Sequence, residues 1–212
     1  IPASSIYITG NTIVDALQAV VGMISSVRSI KDGFDKKFSF LDRRKRLILI
    51  TGHRRENFGE GFKNICSALA EIAQKRRDIE ILYPVHLNPN VQMPVKSILN
   101  GYTNVHLIEP VDYIPFVYLM NRSYLIITDS GGVQEEAPYL GKPVLVMREV
   151  TERPESIAAG TLKLVGTNTE KIVNETFNLL DNESEYSSMS CIHNPYGDGN
   201  AAKRIIDVLR RI

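Results

Sequence analysis

The chain has 212 residues, a formal net charge of +1, 43% hydrophobic residues and 23% charged residues. This is the composition of a globular protein with one sizeable core or two small ones, and it excludes a disordered chain. So near-neutral a balance gives no general pull toward nucleic acid or anionic membrane, so neither is an expected partner, and a bound anion must be held locally.

No apolar run approaches the roughly 20 residues that span a bilayer, and no signal-peptide pattern opens the chain. The chain starts at Ile1 without an initiator Met, so the expectation is a piece of a longer protein. Cys66 and Cys191 lie far apart, and Cys66 falls on the apolar side of a predicted helix, which suits a reduced, cytoplasmic compartment. The histidines at 53, 86, 106 and 193 lack the close paired spacing of a zinc site, so neither metal nor cofactor is expected.

In chain order, residues 10–31 read as one helix starting at Asn11 or Thr12, and the charged, aromatic stretch DGFDKKFSFLDRRKR after it reads as a surface connection. Six near-continuous apolar runs follow, at 46–52, 79–85, 104–108, 124–129, 143–147 and 162–166. Runs of that kind, rather than alternating ones, predict strands covered on both faces, hence a parallel sheet. Between the first two, Phe62, Ile65, Leu69 and Ile72 form one apolar stripe, with Lys75, Arg76 and Arg77 in the last turn favouring the helix dipole. Helical stretches at 91–99, 113–121, 131–140 and 169–181 complete a βαβ rhythm, and NAAKRIIDVLRRI closes the chain as a helix with no strand after it. The expected fold is α/β, a Rossmann-like doubly wound parallel sheet with helical extensions at both ends.

In an open α/β sheet, ligands bind beyond the carboxyl ends of the strands, so the loops there carry the candidate chemistry. TDSGGVQEEAPYLGKP, 128–143, sets Ser130, Gly131 and Gly132 at a strand-to-helix junction whose free amides and dipole suit a phosphate. Glu136 follows where a carboxylate could accept vicinal hydroxyls, although the same residues also make an ordinary helix start with Ser130 as N-cap. TGHRRENFGEGF, 51–62, crowds His53, Arg54, Arg55 and Glu56 into one loop; an Arg could neutralise a diphosphate and His53 could donate to it or move a proton. The alternative there is a solvated basic loop. In REVTERPESI, 148–157, Pro154 suits a helix's first position and Arg153 would project toward a neighbouring anion, although an exposed Arg beside a Pro is, taken alone, usually structural. A lone His such as His86 reads more readily as a satisfied loop residue than as a ligand, and the spacing of Phe116 favours core packing over a ring beside a base. Neither a Gly-x-Ser-x-Gly elbow nor a G-x-G-x-x-G fingerprint is present, against a serine hydrolase and a dinucleotide redox cofactor.

The strings GHRRENFG, YPVHLNPNV, DSGGVQEEAPYLGKPVLVMREVTERPE and HNPYGDGNA, in that order, resemble the non-hydrolysing UDP-N-acetylglucosamine 2-epimerases nearly end to end. The resemblance implies the C-terminal domain of a GT-B fold, with an N-terminal domain outside these residues that supplies the carboxylates for proton chemistry. It divides the chain into an interdomain connection and helix (1–40), a UDP-binding domain (41–198) and a C-terminal helix docking on the N-terminal domain (199–212). Its implied ligands are UDP and UDP-N-acetylhexosamine, and the full-length enzyme is implied to be a homodimer. For UDP it implies Ser130, Gly131 and Gly132 on the diphosphate, Glu136 on the ribose, the main chain at Val111 on uracil with Phe116 alongside, and Arg153 completing the contacts. Relatives often carry a polar residue at position 111. His53 matches the family's functional histidine, and Arg54 and His86 match a regulatory UDP-GlcNAc site of bacterial members. A hydrolysing epimerase, a GT-B glycosyltransferase and a nucleotide-sugar sensor without chemistry stay open as alternatives.

Overall fold

The structure, a computed structural model, describes residues 1–190 and 194–211; Cys191 and His193 lie outside the described residues. All six expected strands form: β1 Arg46–Thr51, β2 Ile79–Pro84, β3 Val105–Ile108, β4 Leu125–Thr128, β5 Val144–Val146 and β6 Leu162–Leu164. They make one sheet in the order β3-β2-β1-β4-β5-β6, every pairing parallel. Successive residues of a strand face opposite sides, so each strand feeds two apolar layers. Ile48, Ile50, Ile81, Tyr83 and Ile127 join α3 (Glu60–Lys75), α4 (Pro89–Leu99) and α8 (Thr169–Asp181) on one face. Leu47, Leu49, Leu82 and Ile126 join α1 (Thr12–Ser26), α2 (Arg28–Lys37), α5 (Tyr113–Arg122) and α6 (Gly131–Glu136) on the other. The predicted stripe of Phe62, Ile65, Leu69 and Ile72 is fully buried. The Cys66 thiol lies within the same layer, where burial pushes its pKa up to about 12.

The start of the chain departs from the expectation of one helix over 10–31. α1 and α2 are separate helices meeting at 91°, with Val27 extended between them. Just before the break, Ser25 Oγ donates to the carbonyls of Val21 and Gly22, a side-chain bond that favours bending. The turn lets Phe34 and Phe38 reach Tyr118, with ring centroids 5.3 and 5.7 Å away. The stretch expected to be a surface connection therefore contributes Phe38 and Leu41 to the core, at 2% and 3% exposure.

The predicted helix over 131–140 is α only as far as Glu136 and tightens to a 3-10 turn over Ala137–Leu140. Pro138 has no N–H to donate back to the helix, which accounts for the change of pitch. Two short helices escaped the periodicity: α7 Pro154–Ala159, of which only the opening proline was expected, and α9 Glu183–Ser190. In α9, Met189 is buried and the Tyr186 ring stacks on Tyr124 at 4.0 Å. The closing helix, α10 (Ala201–Leu209), is anchored by Asp15 of α1, whose carboxylate accepts from the amides of Ala201 (3.1 Å) and Ala202 (2.8 Å). Among the described residues no single helix is long and apolar enough to cross a membrane.

Candidate nucleotide site

The strands are added outward in one direction from β1 to β3 and in the other from β4 to β6, and open α/β sheets hold their ligands at such a switch point, here between β1 and β4. Thr51 pairs with Thr128 across these strands, so the loop after β1 and the loop after β4 start at one level. The two threonine hydroxyls bond each other, and Thr128 Oγ1 also accepts from the Ser130 amide at 2.9 Å.

Asp129 fastens the two loops together. It is fully buried, and its Oδ2 accepts from the amides of His53 and Arg54, both at 2.8 Å, and from Asn57 Nδ2 at 3.4 Å. Asn57 also donates to the Met147 carbonyl at 3.1 Å, which ties the same loop to the end of β5. The His53 ring therefore stands over the end of β4. It stacks on His86, from the loop after β2, with centroids 5.5 Å apart and an 18° interplanar angle. Beneath this loop Gly52 leaves no room for a side chain, because a Cβ there would come within 2.9 Å of the Tyr83 hydroxyl.

The glycines of the Asp-Ser-Gly-Gly turn stand in a different relation to the fold. Neither Gly131 nor Gly132 has positive φ, and a Cβ would come no closer than 3.5 Å to a neighbour at the first and 4.0 Å at the second. The fold thus tolerates a side chain at both positions. What a Cβ would fill is the space above the first amides of α6, where an anion would sit. The neighbour at 3.5 Å is Arg54 Nη2, so this guanidinium overhangs the turn, and it has no acidic partner among the described residues. Ser130 is the N-cap of α6 by backbone conformation only; its hydroxyl makes no capping bond and stays available to a ligand.

Glu136 is buried near the end of α6, and its Oε1 accepts from the Tyr113 hydroxyl at 2.6 Å. Burial raises its pKa, an effect partly opposed by the Tyr113 hydrogen bond. Tyr113 opens α5, so this bond holds the loop of Val111 against the acidic end of α6. Val111 and Phe116 are half-buried on the apolar layer there.

Arg153 differs from the free, projecting side chain expected. Its Nε donates to Glu135 Oε1, and Glu135 Oε2 accepts from Asn11 Nδ2 at 2.7 Å, so its charge is partly neutralised on the flank of α6. The expected residues from the loops after β1 and β4 are thus brought together, His86 joins them by stacking, and Arg153 stands beside them in an ion pair. Sequence reading missed Asp129, Asn57 and Tyr113 as site builders. Asp129 was visible in the motif, but an Asp ending a strand looks like any polar loop residue until its backbone partners are seen.

The model of the family described as UDP-N-acetylglucosamine 2-epimerase matches residues 1–210. The chain belongs to this family. It is 55% identical over 210 residues to the UDP-N-acetylglucosamine 2-epimerase of Yersinia pestis, covering 99% of this chain and 56% of that protein. The crystal structure of the Neisseria meningitidis enzyme bound to UDP-GlcNAc superimposes with a TM-score of 0.95 at 48% identity, covering 100% of this chain and 57% of that one. The Methanocaldococcus jannaschii enzyme in complex with UDP-GlcNAc and UDP has a TM-score of 0.81 at 32% identity, over 100% of this chain and 56% of that one. The chain spans about half the length of the epimerases it matches. Its architecture is that of one Rossmann-like half of their GT-B fold.

Proposed function

We propose that this chain is the nucleotide-binding half of a UDP-N-acetylglucosamine 2-epimerase, interconverting UDP-GlcNAc and UDP-ManNAc. The observation that carries the proposal is the pair Gly131 and Gly132, which the fold does not demand, lying under a guanidinium without an acidic partner and next to a buried carboxylate. Ser130, Gly131 and Gly132 would hold the diphosphate through amides and hydroxyl, with Arg54 opposing its charge. Glu136 would accept the ribose hydroxyls, and the main chain at Val111, with Phe116 alongside, would meet uracil. Arg153 would reach the nucleotide by leaving Glu135.

The reaction fitting this arrangement is elimination and re-addition. A base removes the C2 proton and the C1–O bond breaks with its electrons going to UDP, giving 2-acetamidoglucal. UDP then returns to C1 while a proton enters the other face of C2. The C2 proton is not acidic, so the demand falls on stabilising the departing diphosphate, which amides and cations do most strongly in the transition state. His53, beside the diphosphate, assists UDP in leaving, and the carboxylates of proton transfer belong to the part of the relatives that this chain does not span.

His86 stacks on His53, which supports reading the matched regulatory positions Arg54 and His86 as neighbours of the proposed nucleotide site. A regulatory nucleotide sugar would then bind contiguously with the substrate. Residues 1–40 and 199–212 would face the other half; Ile6, Ile8, Ile206 and Leu209 are exposed apolar side chains suited to it. The complete enzyme would be a cytoplasmic homodimer.

The test is to incubate the complete protein with UDP-GlcNAc in deuterium oxide. UDP-ManNAc carrying deuterium at C2 is the expected product. Release of free ManNAc would show the hydrolysing reaction instead, and transfer of the sugar to an acceptor would overturn the assignment.

A further inference from the structure

The Asp129 carboxylate is satisfied on one side only. Oδ2 takes the two amides and Asn57, whereas Oδ1, buried in the same place, has no hydrogen-bond partner. Leaving a buried acceptor unpaired is costly, so such an oxygen calls for a use. The group facing it is the His53 imidazole, whose Nδ1 lies 3.5 Å away, a small ring rotation short of a hydrogen bond.

A carboxylate only accepts, so an imidazole nitrogen turned toward it is favoured in its protonated form. We infer that Asp129 is the positioning residue of His53: its Oδ1 accepts a hydrogen bond from Nδ1–H, fixes the tautomer and presents Nε2 to the ligand. This rests on the reading of His53 as the group beside the diphosphate. The rest of the ring's surroundings fit. His86 stacks on its face and has its own Nδ1 committed to the Asn88 amide at 3.1 Å, so it does not compete for Asp129. The backbone of residues 53 and 54 is clamped by the other oxygen of the same carboxylate, so ring and main chain are registered to one rigid group at the end of β4. Nδ1 keeps its proton and donates it to Asp129 in a hydrogen bond whether the ring is neutral or charged. When it is charged, Nε2–H donates to a phosphate oxygen while the buried carboxylate offsets the imidazolium.

Imidazole 15N chemical shifts of His53 in the 212-residue chain, recorded at a pH where the ring is neutral, test the inference directly. Wild type is expected in the Nδ1–H tautomer. In Asp129→Asn, an amide NH2 facing the ring should donate to Nδ1 and turn His53 into the Nε2–H tautomer, with UDP bound about tenfold more weakly. An Nε2–H tautomer in wild type overturns the inference without any variant, which keeps the test sound if Asp129→Asn does not fold. A folded Asp129→Asn with unchanged His53 shifts overturns it as well. UDP added to the wild-type sample, followed at the Ser130, Gly131 and Gly132 amides, separates the two readings. Amides that do not respond contradict the nucleotide proposal, whereas the tautomer alone decides the role of Asp129.

Discussion

Arg76 and Arg54 stand at opposite ends of the same sheet in opposite electrostatic circumstances. At the amino ends of the strands, Arg76 bonds both oxygens of Asp78 at 2.8 Å and both oxygens of Asp181 at 2.7 and 2.8 Å, while its guanidinium lies over the Phe177 ring. Arg46 answers Asp78 from the next strand and packs over Tyr124. At the carboxyl ends, Arg54 has no acidic partner among the described residues, Asp129 turns one buried oxygen toward His53, and Ser130 caps without its hydroxyl. Charges that are mutually satisfied hold the fold. Those left unsatisfied at the switch point of the sheet are what a ligand would complete.

The contrast is broken most severely at Asp129, which belongs to both categories. Asp129→Ala leaves three donors without their acceptor and should lower stability by about 3 kcal/mol, or roughly 10 °C in Tm, read by thermal or urea unfolding. A loss below about 1 kcal/mol would mean that water replaces the carboxylate and that the loop is not anchored as described. Gly132→Ala sharpens the contrast by separating its two halves. With ordinary φ and open space, alanine in this helix should leave stability equal or higher by up to about 1 kcal/mol, yet weaken UDP binding by 100-fold or more, because its Cβ would take the diphosphate's place.

A reciprocal pair comes next. Arg54→Ala should weaken UDP about tenfold with Tm unchanged, since the lost partner is the ligand. Arg76→Ala should cost about 1 kcal/mol of stability with UDP affinity unchanged. Calorimetry and unfolding on the two variants should give this crossed pattern, and parallel losses in both would dissolve the distinction between the two ends.

The smallest effect concerns pH. Burial raises the Glu136 pKa, so the native state binds that proton more tightly than the unfolded chain, whose value is near 4.5. Ionised Glu136 therefore costs stability above its folded pKa, and the cost fades as pH falls toward 4.5. Glu136→Gln should raise Tm modestly at pH 7 to 8, lose the advantage below about pH 4.5, and bind UDP poorly throughout. A Tm difference independent of pH would show that the carboxylate is better solvated than its burial implies.

The six strands and the crossover helices were legible because they are buried on both faces or along one stripe, and burial writes itself directly into runs and periods. The break at Val27 was not, since the composition of 10–31 is helical throughout and the bend depends on Phe34 and Phe38 meeting Tyr118, a contact far along the chain. α9 was missed for a related reason: its sequence ESEYSSMS has almost no apolar stripe, and it is held by Met189 and the Tyr124–Tyr186 stack. Within the site, the anion-binding turn and the basic loop stood out by residue type. The bonds from Asp129 to two amides and from Tyr113 to Glu136 did not, because they join residues 76, 75 and 23 positions apart with no local signature. The pairing of Arg153 with Glu135 was invisible for the same reason.

The measurement that tests the account most directly is a calorimetric titration of this chain with UDP beside Glu136→Ala. The account predicts saturable heat for wild type and its loss in the variant, since it assigns the ribose hydroxyls to the buried Glu136 carboxylate. Binding of equal strength in the two proteins, or none in wild type, would contradict the placement of the nucleotide at the junction of β1 and β4.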